Sequence, residues 1–121
     1  MSRAQPTKSL NWSSTLVIAL ISLALSFAWD RYVDAEHGNI AFCSSLLVLV
    51  AVYSAWPVRM QPRIVVFLAA YAAIHVAICF LPWPNDGAYF SIILLPIAIA
   101  DYAGTIFAIW HLAGNIRTEA D

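Results

Sequence analysis

A chain of 121 residues with 62% hydrophobic and only 11% charged side chains, and a mean hydropathy of +0.77, lies outside the range of soluble domains, where about a quarter of residues are charged. Its formal net charge of -1 comes from six scattered Lys and Arg residues against seven acids, a balance that excludes a basic nucleic-acid surface and a polybasic lipid-binding patch. The length leaves room for a single membrane domain, residues 1–121, and none for an extramembrane domain of any size.

Four stretches are free of formal charge or nearly so, and each meets the roughly 20 residues that a spanning helix needs. The first, 9–29, predicts a helix over 12–29. Arg3 and Lys8 ahead of it, with Ser26-Phe27-Ala28 near its end, also fit a secretory signal with a small-x-small cleavage site, although the apolar run is longer than the usual signal core. The second stretch, 38–58, predicts a helix over 40–56, and the third, 64–85, one over 64–81. The fourth, 87–116, predicts a helix over 88–113 and is interrupted only by Asp101. Gly38, Pro57, Pro62, Pro82, Pro84 and Gly87 punctuate the connections, because their backbones break or cap helices. Short connections make successive helices antiparallel neighbours, so the expected fold is all-α, a polytopic antiparallel bundle of four transmembrane helices.

Trp12, Trp29, Trp56, Trp83 and Trp110 fall beside the ends of these stretches, where amphipathic rings settle at a membrane–water interface, and they are the expected interfacial anchors. Arg3, Lys8, Arg59, Arg63 and Arg117 would lie on one side and Arg31 alone on the other, which places both termini in the cytoplasm of a bacterial inner membrane. Asp30, Asp34, Glu36 and Asp86 then lie outside. Three of these acids and His37 share the 30–37 loop, which could gather a divalent cation or be an ordinary solvated turn.

Asp101 is the sharpest feature, since a charged carboxylate near the middle of a spanning helix costs about 2.5–3.5 kcal/mol on insertion scales. Pro96 lacks an N–H, frees the carbonyl of Ile92 and predicts a kink near the carboxyl group. Thr105, one turn beyond Asp101, shares its face. Two roles fit: a proton- or cation-handling site, or a hydrogen-bonded acid that joins helices or protomers. On the third helix Tyr71, His75 and Cys79 recur every four residues on one face, while Ala69, Ala73 and Ala77 form a small-residue stripe on another, which predicts packing on two sides. Counting helix rise, His75 lies ~9 Å below the outer end of its helix and Asp101 ~15–20 Å below, so contact requires tilt, Tyr71 or water between them.

His75 and His111 are roughly 20 Å apart in depth and cannot share one haem iron; His37 could approach His75 only from its loop. Cys43 and Cys79 fall near the outer surface on the second and third helices, placed either for a disulfide in an oxidising compartment or as two small buried thiols. Ser22 with Ser26, Ala51 with Ala55, and Ala100 with Gly104 and Ala108 have the four-residue spacing of close helix contacts. No metal or cofactor motif appears, no nucleophile has a plausible base, and no paired carboxylates stand at useful spacing. The expected role is a non-enzymatic structural or accessory subunit in the lipid bilayer, self-associating or part of a larger membrane complex. The alternative is a small oligomeric channel or proton-coupled transporter, phage-type pores included, working through Asp101. A membrane enzyme subunit acting on lipid, quinone or haem comes third.

Overall fold

The computed structural model describes residues 7–33, 37–83 and 90–113. All regular structure among them is helical. Helix α1 (Trp12–Tyr32) is followed by α2 (Gly38–Ser54), a 3-10 turn (Trp56–Val58) and α3 (Pro62–Cys79). A π-helical turn (Phe90–Leu94) then leads directly into α4 (Leu95–Leu112). Helices α1 and α3 and the segment Ile92–Leu112 are each long and apolar enough to cross a membrane, whereas α2 is apolar but only 17 residues long. Arg3, Asp34, Glu36, Pro84, Asp86, Gly87 and Arg117 lie outside the described residues, and with them two of the three acids of the 30–37 segment and the predicted start of the fourth helix at 88.

Local chemistry accounts for the helix ends. Asn11 Oδ1 accepts from the Ser14 N–H at 2.8 Å and Ser14 Oγ accepts from the Asn11 N–H at 3.0 Å, a reciprocal cap that satisfies two donors at the start of α1. Pro62 occupies the first position of α3, where its missing N–H costs nothing. Pro57 disfavours α geometry at Trp56, and α2 ends at Ser54 rather than continuing to 56. The crowding that Pro96 imposes on the carbonyl of Ile92 falls within the π turn, whose wider ring gives the proline room.

Helix α2 is the hub, packed most extensively on α1, then on α3 and α4. At one end Ala55, Val58, Ile64, Ile109 and Ala113 form a closed cluster backed by Phe67, Leu68 and Leu112. The N-terminal segment joins this end: the Lys8 N–H donates to the Ser54 carbonyl at 2.8 Å, and Trp110 Nε1 donates to Thr7 Oγ1 at 3.1 Å. At the other end Ser26 Oγ donates to the Gly38 carbonyl at 2.7 Å, and Trp29 meets Phe80 edge-on at 5.1 Å. His37 Nε2 donates there to the Trp83 carbonyl at 2.7 Å. Gly38 lies so close to the Asp30 carboxylate that an added Cβ would overlap it.

The outward faces are apolar, with Leu16, Leu20 and Phe27 on α1, Val66 and Ile74 on α3, and Ile92, Ile99 and Phe107 on the last segment all exposed. Ala69, Ala73 and Ala77 are exposed as well, so within this chain α3 packs through one face. The physical reason is that the buried residues of α3 are Ile64, Tyr71, His75 and Cys79, so its neighbours meet that single face. Ala51 is buried, whereas Ala100 and Gly104 are exposed and a Cβ at Gly104 would touch nothing.

Candidate functional site

The buried face of α3 brings Tyr71 and His75 against the side of α4 that carries Asp101 and Thr105. His75 Nε2 and Asp101 Oδ2 are 2.8 Å apart. On the same ring, Nδ1 lies 2.8 Å from the carbonyl oxygen of Tyr71, one turn back along α3. A carbonyl can only accept, so Nδ1 carries a proton and donates it. The contact between Nε2 and Oδ2 then holds one further proton, on the ring as imidazolium facing carboxylate or on the acid donating to a neutral imidazole. Either way the pair is neutral overall, which offsets the cost of placing an acid among apolar side chains.

Thr105 Oγ1 donates to the Asp101 carbonyl at 2.8 Å and lies 3.3 Å from Oδ1. The Tyr71 ring stands 4.1 Å from the His75 ring, and Phe67 stacks on Tyr71 at 5.9 Å, continuing the ladder along α3. The Tyr71 hydroxyl is buried and makes no hydrogen bond of acceptable geometry, with Asp101 and Thr105 as its polar neighbours. Burial is uneven across the pair, for the His75 side chain is 7% exposed and that of Asp101 28%.

The expectation from helix rise allowed contact through tilt, Tyr71 or water, and the two side chains meet directly. That expectation placed the ends of the third and fourth helices level. Leu94 borders the same cavity as Trp83, four residues past the end of α3, and His75 and Asp101 border it together.

Among the described residues, three cavities border α2. One of about 300 Å³ opens between α1, α2 and α3 and is bordered by Trp29, Ser44, His75 and Cys79. A second, of about 110 Å³, lies between α2, α3 and α4 and is bordered by Cys43, Ser44, His75, Trp83 and Asp101. The third, about 360 Å³ and apolar, lies between α1, α2 and α4. Ser44 and His75 border both of the first two. Sequence reasoning missed Ser44, because the adjacent Ser45 is chemically identical and only packing separates them: Ser45 Oγ donates back to the Ala41 carbonyl at 2.6 Å, whereas Ser44 is buried between the cavities.

Cys43 and Cys79 are free thiols near one end of the helices, and they border different cavities. Among the described residues no three His, Cys, Asp or Glu side chains converge to hold a metal ion. His75 has both nitrogens engaged, and His111 is exposed and stacked on Phe107 at 6.4 Å. The tryptophans divide into two groups. Trp12 is 89% exposed, and Trp56 is exposed beneath the Arg59 guanidinium, 4.4 Å from its ring. Trp29, Trp83 and Trp110 are half-buried in contacts between segments; Trp83 Nε1 donates to the Ile78 carbonyl at 2.7 Å, and the Trp29 indole N–H is buried without an acceptor.

Comparison with protein-family models, curated proteins and solved structures finds no match.

Proposed function

We propose that this chain is a structural or accessory subunit of a bacterial inner membrane, one domain of four antiparallel spans with both termini in the cytoplasm, which self-associates or joins a larger complex. The observation that carries this reading is the His75–Asp101 bond. The one acid within the apolar stretches has its partner inside the same chain, and the bond ties α4 to α3 as a polar clamp. Lys8, Arg59 and Arg63 gather at the end where α1 and α3 begin, which supports the orientation. With its 3-10 extension to Val58, α2 spans about 30 Å, enough for a fourth crossing. The exposed apolar faces of α1 and α4 suit lipid or a second protomer. Purification in a mild detergent that preserves native complexes tests the role: partner subunits or a defined oligomer support it, and a monodisperse monomer without partners counts against it.

A second reading has its own support in Asp101, whose side chain is 28% exposed and which borders a cavity. A carboxyl group that shares a proton and remains reachable suits a proton-coupled transporter or a small channel. Proton flux into liposomes containing the protein tests this reading, and flux equal in wild type and Asp101→Asn removes it.

A further inference from the structure

We propose that the His75–Asp101 pair binds a lipophilic primary ammonium ion, which enters the cavity between α2, α3 and α4 and takes the place of the proton that the two side chains share. The inference rests on the second reading above, that Asp101 handles a proton. The acid is the accessible member of the pair and forms part of the cavity wall, so a ligand meets the carboxylate first.

Charge balance sets the stoichiometry. The pair is neutral with its shared proton, and among the described residues no Lys, Arg or Glu borders any of the three cavities around α2. The other titratable side chains bordering them are Cys43 on α2, Cys79 on α3 and Tyr102 on α4, with Tyr71 packed against His75. A cation added to the intact pair leaves one positive charge in apolar surroundings, whereas a cation exchanged for the proton leaves none. The exchange is balanced: one ammonium ion binds, the bridging proton leaves to water, and His75 remains neutral with its proton on Nδ1.

Hydrogen bonding sets the class of cation. Once the bridging proton leaves, both Nε2 and Oδ2 are acceptors. A primary ammonium has three N–H donors and serves both atoms, keeping α3 and α4 joined through the ligand. A quaternary ammonium has none, and would leave Nε2 buried without a donor. An apolar cavity of about 360 Å³ lies on the other side of Cys43, Leu47 and Ala98, which border both cavities, so the alkyl tail meets apolar surroundings.

Calorimetric titration of the full chain in detergent with n-hexylamine at pH 7, in two buffers of different ionisation enthalpy, counts the protons. The amine is an ammonium ion at this pH. The expected result is saturable binding with about one proton released per ammonium, affinity for n-hexyltrimethylammonium lower by roughly tenfold or more, and a similar loss in Asp101→Asn. Absence of binding, binding without proton release, or equal affinity for the two cations overturns the proposal. The proton count needs no variant, so it decides the matter even if Asp101→Asn fails to fold. The liposome proton flux uses no amine, so failure here is distinguishable from failure of the proton-handling reading.

Discussion

His75 Nδ1 donates to the Tyr71 carbonyl oxygen at 2.8 Å, so the ring reaches α4 with only Nε2 able to change its proton. That bond fixes both the tautomer and the direction of the imidazole. It also means that any residue replacing Asp101 is judged by whether it can donate to Nε2.

Asp101→Asn can. Its amide N–H donates to the Nε2 lone pair, and unfolding stability in detergent should fall by no more than about 1 kcal/mol. Asp101→Leu fills a similar volume but strands Nε2 in a buried position, at a cost of about 1–3 kcal/mol. Thermal or denaturant unfolding in mixed micelles reads the difference; equal losses for the two variants would show that the bond does not hold α4 to α3.

The four-span reading makes a prediction about sidedness. A reporter fused after Asp121 and one inserted between α1 and α2, at residues 34–36, should lie on opposite sides of the membrane, the first in the cytoplasm. The asymmetry of Lys8, Arg59 and Arg63 against Arg31 is the motive. Reporters on the same side would remove one span.

Cys43 and Cys79 should resist pairing, because they border separate cavities on two sides of the α2–α3 contact. After treatment with a mild oxidant, mass spectrometry of the intact chain should still find two thiols. Loss of two hydrogens in a monomer would show that the two helices rotate enough to bring the sulfurs together.

Gly38→Ala tests the closest approach at the loop end of α1. The new methyl group would displace the Asp30 carboxylate, which is exposed and free to swing away from the start of α2. A negative charge at a helix N-terminus contributes about 0.3–1 kcal/mol at low ionic strength. The variant should therefore melt lower than wild type in low salt, with the gap closing in high salt. A gap that ignores salt would place the loss in packing around Gly38.

The four helices were legible because length and apolar content are local properties, and so was the Tyr71–His75–Cys79 face, because a four-residue spacing is a geometric fact about any α-helix. Asp101 stood out as the one charge in an apolar stretch. The direct bond to His75 did not. Depth counting needs the offset between neighbouring helices, and that offset depends on residues beyond the end of α3 that carry no periodic signal. The same limit hid the contact between Thr7 and Trp110, 103 residues apart. Ala69, Ala73 and Ala77 face away from the other helices of this chain, for their spacing permits close helix approach without requiring a neighbour within it.

The order of the clamp's two halves along the chain has a consequence for biosynthesis. α3 precedes α4, so His75 reaches the membrane before Asp101 is made. The insertion penalty of the acid thus arises only once its acceptor is in place, and a nascent chain halted after α3 carries an imidazole rather than an unpaired carboxylate into the lipid. A permuted chain with α4 ahead of α3 would meet that penalty alone, and its acid-bearing helix should insert less efficiently than in the natural order.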